Sequence, residues 1–158
     1  MKFQLIFAVV MTTSFLAEAA TRFSDSASAI AKQQIVHRLQ IKKVSDLNFG
    51  EASPGDGPKL IPAGTAENAE NASFEVRGEP SRMYQIVLPG NNSVVMTTSG
   101  GGPNGEITIK EFNSFPARAG VMDPNGGSTI YVGALREAIS TKQKVGEYTG
   151  QFVITVVY

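Results

Sequence analysis

The chain has 158 residues, with 14 Lys and Arg against 14 Asp and Glu, so its formal charge is zero at neutral pH. That balance excludes the basic footprint that nucleic acid or an anionic membrane surface demands. The absence of cysteine and the single histidine exclude disulfides and thiolate metal sites and argue against a zinc centre.

Met1-Lys2 is a short basic start, Leu5 to Leu16 is an apolar run of 12 residues, and Ala17-Glu18-Ala19 fits a small-x-small cleavage rule. Residues 1–19 therefore read as a secretory signal peptide. The apolar run falls short of the ~20 residues a membrane-spanning helix needs. Cleavage after Ala19 would leave Ala20 to Tyr158, 139 residues, the length of one domain. The expectation is an exported protein, in the periplasm, at the cell surface or outside the cell. No second long apolar run follows, so no transmembrane helix is expected after cleavage.

Residues 20–34 form an N-terminal arm, polar and rich in small residues. Its odd positions continue into the next segment as Ala27, Ala29, Ala31, Gln33, Ile35, His37, Leu39 and Ile41. A helix from Ala27 to Leu39 competes, because Ala, Lys, Gln and Arg are good helix formers. The alternation from Ile35 to Ile41 favours a long first strand. The folded domain is expected to occupy residues 35–158.

Pro54, Gly55, Asp56 and Gly57 mark a loop, after which Lys59 to Ala63 reads as a short edge strand, limited by Pro62. Thr65 to Asn71 is polar and expected to hold a loose helical turn. Ala72 to Gly78 alternates cleanly, Glu79 to Arg82 turns the chain, and Met83 to Pro89 reads as the return strand of a hairpin. Ser93 to Thr98 is a short strand. The pair Asn104-Gly105 is the preferred chemistry of a tight hairpin turn, and Glu106 to Phe112 follows it. Phe115 to Val121 is irregular. The turn Asp123 to Gly127 leads to a strand from Thr129 to Leu135, with Ala138 to Thr141 as its continuation past a bend.

The last stretch, Gly146 to Tyr158, is the strongest strand signal in the chain. Tyr148, Phe152, Ile154, Val156 and Tyr158 share one parity. Thr149, Gln151, Val153, Thr155 and Val157 share the other. In all, the pattern predicts seven to nine short strands with frequent turns and no interleaved helices. The fold class is thus all-β, an antiparallel β-sandwich of Greek-key type.

A search for chemistry returns little. His37 would have to serve any Ser-His-Asp triad, but no nucleophile elbow is present, and a half-buried strand histidine is the ordinary account. Glu67, Glu70, Glu75 and Glu79 are better explained as solvated carboxylates than as a glycosidase pair. The glycines at 100–102 and 126–127 match no phosphate-binding pattern. Asn71-Ala72-Ser73 and Asn91-Asn92-Ser93 fit glycosylation sequons. No catalytic residue, cofactor site or metal site is assigned, and the chain is not expected to be an enzyme.

Four stretches taken in order resemble a bacterial secreted family known only as domain of unknown function 4402. They are Leu47-Asn48-Phe49-Gly50, Ala72 to Gly78 with Tyr84 to Pro89, Ile130-Tyr131-Val132-Gly133-Ala134, and Gly146 to Tyr158. That resemblance implies an immunoglobulin-like sandwich and no established activity. The same stretches are similar in pattern to archaic, spore-coat-U-like chaperone–usher pilus subunits. Those subunits close on a strand with a glycine and, 12 positions later, a tyrosine, the spacing of Gly146 and Tyr158. Two departures are visible: Tyr158 is the last residue rather than the second from the end, and the usual disulfide has no cysteines to form it.

The pilin resemblance implies an exported structural or adhesive surface subunit that assembles by strand addition. Its partners would be a periplasmic chaperone, an usher and further copies of itself. Gly146, Tyr148, Phe152, Ile154, Val156 and Tyr158 would form the assembly strand, and Ala27, Ala29, Ala31 and Ile35 the donor arm. The alternative is a self-complete secreted binding module for a glycan or protein partner, with Tyr84, Phe112, Phe115 or Tyr131 as an exposed aromatic patch.

Overall fold

A computed structural model describes residues 25–158. The expected signal peptide lies outside the described residues. The described residues fall into two units, residues 25–34 and 35–158. In the first, residues 25–34 belong to no strand and are exposed throughout. The second is an all-β sandwich in which every strand pairing is antiparallel. Among the described residues no helix is long and apolar enough to cross a membrane.

Ten strands form among the described residues, against an expectation of seven to nine. They are β1 (Gln40–Ser45), β2 (Lys59–Ile61), β3 (Ala72–Arg77), β4 (Met83–Val87), β5 (Val94–Thr98), β6 (Glu106–Phe115), β7 (Ala119–Val121), β8 (Gly127–Arg136), β9 (Tyr148–Thr149) and β10 (Thr155–Val157). The larger sheet has seven strands in the order β1-β3-β8-β6-β5-β9, with β2 on the same edge of β8 as β3. A smaller sheet has the order β10-β4-β7. Between them lies a core of Val76, Tyr84, Ile86, Met122, Ile130, Val132 and Ile154. A second cluster joins Phe49, Ile61, Val94, Ile109 and Ala134. Leu47, Phe112 and Phe152 pack against both clusters.

Several expectations are corrected. The first strand begins at Gln40, not at Ile35. Its partner β3 ends at Arg77, opposite Gln40, so the preceding residues have no ladder to join. Instead the His37 amide donates to the Glu79 carboxylate at 2.8 Å. His37 is exposed rather than half-buried. Neither a helix nor a strand forms over 27–39, and no helical turn forms over 65–71.

The hairpin expected from Ala72 to Pro89 does not form: β3 belongs to the large sheet and β4 to the small one. Val76 on β3 and Tyr84 and Ile86 on β4 fill the same core from opposite sides. Such an arrangement needs two facing sheets rather than one continuous ladder. Among the described residues, the only strands that pair with their immediate neighbour in the chain are β5 and β6, around the loop that contains Asn104-Gly105. A bulge in β6 between Lys110 and Asn113 holds Glu111 at a φ of 51°, and the adjacent Phe112 packs between the two clusters. β7 forms where irregular chain was expected, and no strand continues over 138–141.

Candidate functional site

Gly146 to Tyr158 was expected as one strand. It is two, with a crossing between the sheets. β9 pairs Tyr148 with Thr98 on β5 of the large sheet. β10 pairs Val156 with Ile86 on β4 of the small sheet. Gly150 sits between them. A Cβ there would meet the Val95 carbonyl oxygen, so only glycine lets the chain leave β5 so closely.

The parity survives the crossing although the ladder does not. Thr149, Gln151, Val153, Thr155 and Val157 are all exposed. Phe152 and Val156 are half-buried and Ile154 is buried in this chain's own core. Phe152 meets Phe74 edge-on at 6.2 Å between ring centres and Phe112 at 5.2 Å. The Phe74 contact is worth more than its area burial because a ring edge meets a ring face, whereas the Phe112 ring is tilted at 43°.

The two ends of the segment have different surroundings. Gly146 has a φ of +153° and no room for a Cβ beside Thr98. The Tyr148 hydroxyl donates to the Lys144 carbonyl at 2.7 Å and accepts from Gln143 Nε2 at 3.0 Å. Tyr158 is 41% exposed. Its hydroxyl accepts the Glu79 amide, and the Arg82 guanidinium lies 4.0 Å from its ring centre. A Cβ on Gly78 would collide with that hydroxyl.

The residues expected to form one assembly strand are therefore divided. Gly146 and Tyr148 line a cavity of about 510 Å³ beside Phe49, Met96, Ile107 and Arg136. Phe152, Ile154 and Val156 pack in the core, and Tyr158 closes a corner. Of the proposed donor-arm residues, Ala27, Ala29 and Ala31 are exposed and in no strand, and Ile35 is 88% exposed.

Residues 39–158 match the family model described as Domain of unknown function (DUF4402). The chain belongs to this family. Comparisons with curated proteins and with solved structures gave no match. The DUF4402 region begins one residue before β1 and takes in all ten strands. Residues 25–34 lie outside it.

Two features of the DUF4402 domain escaped sequence reasoning. The first is the outer face of the small sheet, where Met83, Val87, Val121 and Val157 are exposed together. Period two marks Met83 and Val87 as facing away from Tyr84 and Ile86, but only the sheet assignment brings Val121 and Val157 beside them. The second is Arg136, buried at the end of β8. An aromatic patch from the four residues named above does not assemble: Tyr84 is buried with its hydroxyl 2.7 Å from Ser128 Oγ, and Phe112 packs in the core.

Proposed function

We propose that the chain is an exported structural or adhesive surface subunit, fimbrial in kind, that assembles by strand addition. The observation that carries this reading is the one-sided pairing of β10. It bonds to β4 along one edge, and among the described residues no strand pairs with the other. An edge of unpaired amides and carbonyls is a template for a further strand. Val157 is exposed on β10, opposite Gln85 on the outer face of β4, where Met83 and Val87 are also exposed. The donor in this reading is the arm from Thr21 to Gln34, whose described residues are exposed and unpaired. A periplasmic chaperone and an usher would protect and order the same edge before the next subunit's arm reaches it.

The test is the size of the mature chain, Ala20 to Tyr158, measured by light scattering with and without Thr21 to Gln34. The expected outcome is oligomers for the mature chain and a soluble monomer for the deletion. Added synthetic peptide spanning 21–34 should bind the monomer and protect the β10 amides from hydrogen exchange. An oligomeric state unchanged by the deletion overturns the proposal.

A further inference from the structure

An antiparallel sheet with one face in water turns apolar residues inward and polar residues outward. β3 follows that rule: Phe74 and Val76 pack toward the core, and Glu75 and Arg77 pair on the other face. The small sheet breaks it. Tyr84, Ile86 and Val156 pack toward the core, yet β4 also turns Met83 and Val87 outward, with Gln85 between them. Val121 of β7 lies beside Met83, and Val157 of β10 lies beside Gln85. The four apolar side chains are between 39% and 66% exposed. Ala119 and Thr155 complete this face, and no residue on it is charged. The charges next to it in the chain, Arg82, Arg118 and Asp123, stand beyond the strand ends. Arg82 lies against the Tyr158 ring, and the Asp123 carboxylate accepts the amides of Asn125 and Gly127.

Apolar residues on both faces are the pattern of a strand covered on both sides. One cover is this chain's own large sheet. The other is missing from a single copy. A charged partner finds nothing to pair with on this face, and the outer face of the large sheet, which carries Lys42, Glu75 and Arg77, does not match it. A second copy of the same face does. Gln85 stands at its centre, the middle residue of the middle strand, and a primary amide both donates and accepts. Across a two-fold axis at Gln85, each amide is the partner the other needs. The apolar residues match as well. With the two β4 strands antiparallel, Met83 of one copy faces Val87 of the other. With them parallel, the strand that carries Val121 faces the strand that carries Val157.

The face amounts to a few hundred Å², a size at which an exposed apolar patch is often functional, yet less than the ~800 Å² per partner of a stable interface. We propose that it is a weak self-interface, through which two copies of this chain pair face to face as aligned three-stranded layers. Single copies then stay apart in dilute solution. Copies held in a row by strand addition present the face repeatedly, and two rows join through many weak contacts at once, which strengthens binding by roughly 10²–10⁴. This lateral role rests on the strand-addition reading; the pairing of the faces does not.

The chain has no cysteine, so one introduced thiol reports on one place. Gln85→Cys in the mature chain, treated with a short bismaleimide, should give a cross-linked pair several times more readily than Thr129→Cys, at an exposed position on the outer face of the large sheet. Copies joined by strand addition meet through unlike surfaces, so they do not bring position 85 to position 85. Adding Val121→Lys to Gln85→Cys should lower the yield to the Thr129→Cys level, because it sets a charge into an apolar contact. If that variant does not fold, Met83→Lys takes its place, and the comparison of Gln85→Cys with Thr129→Cys decides alone. In electron micrographs, fibres of the mature chain should lie side by side, and Val121→Lys should leave fibres of the same length lying singly. Absence of fibres with cross-linking intact would sink strand addition and leave the paired faces standing. Equal yields at positions 85 and 129 overturn the proposal. So does protection of the thiol of Gln85→Cys by phosphatidylcholine vesicles without any cross-linked pair, which would give the face to a lipid surface.

Discussion

Asn71 carries more structure than its place in a polar loop implies. It is fully buried. Its Nδ2 donates to the Ala63 carbonyl at 2.6 Å and the Ala66 carbonyl at 2.9 Å, and its Oδ1 accepts the Asn68 amide at 3.0 Å. Asn68 Oδ1 in turn accepts the amides of Glu70 and Asn71. Two asparagines thus do the work expected of a helical turn, as side-chain amides that replace backbone partners. The residue also heads a sequon, but a glycan at a buried, triply bonded amide would require the loop to open. Asn71→Ala leaves two carbonyls and one amide without partners. We expect it to lower stability by about 2–4 kcal/mol in urea unfolding. A loss below about 0.5 kcal/mol would mean water replaces the side chain without cost. Composition could mark these asparagines as loop formers. It could not say that one of them is a buried strut, because its partners are carbonyls, which every residue has.

At the scale of elements, the chain was legible wherever local pattern decides and opaque wherever partner choice decides. Ile130, Val132 and Ala134 are buried between half-buried Tyr131 and Leu135 as period two requires, with Gly133 buried against β2 as the exception, and β2, β5, β6 and β8 form close to their expected places. Asn104-Gly105 does lie in the one loop that joins sequential partners. The failure at β3 and β4 has a physical cause: a four-residue turn closes a hairpin or turns a sandwich corner equally well, and the choice belongs to distant strands β8 and β10. Likewise, the alternation of Gly146 to Tyr158 foretold which side chains turn inward, but not that the ladder changes sheets at Gly150. The inward set can be tested apart from the ladder. Phe152→Ala removes a ring that touches Phe74 and Phe112 and packs against both core clusters. It should cost about 3 kcal/mol. Val153→Ala, at a position 75% exposed, should change stability by less than about 0.5 kcal/mol. Both are read from the midpoint of urea unfolding, and equal losses would show that the crossing is not built as described.

For the whole molecule, the joint between the sheets matters more than any one strand, and an aspartate forms much of it. Asp123 stands between β7 of the small sheet and β8 of the large one. Its Oδ1 accepts the amides of Asn125 at 2.7 Å and Gly127 at 2.9 Å, and its carbonyl accepts the Ser81 amide from the corner between β3 and β4. The Gly126 carbonyl accepts the Gly78 amide beside it. One corner of each sheet is therefore tied to the other through this turn. The turn itself was readable from Asp123-Pro124-Asn125-Gly126-Gly127, but its tie to Gly78 and Ser81 was not, since nothing local pairs the two corners. The backbone amide of Gly127, then that of Asn125, hold the Asp123 carboxyl below its ordinary value of 3.8, against a smaller opposing effect of desolvation. A carboxyl whose folded pKa is depressed favours the fold in its charged form. Its contribution is complete above the unfolded value and is lost as pH falls through the folded one. Asp123→Asn keeps the geometry of an acceptor oxygen but removes the charge. It should be less stable than the unaltered chain at pH 7, and the gap should close as pH drops below 3.8, where the aspartate becomes protonated. Urea midpoints of both proteins across the acid range check this. A gap that stays constant with pH would assign the tie to hydrogen-bond geometry alone, with no part for the charge.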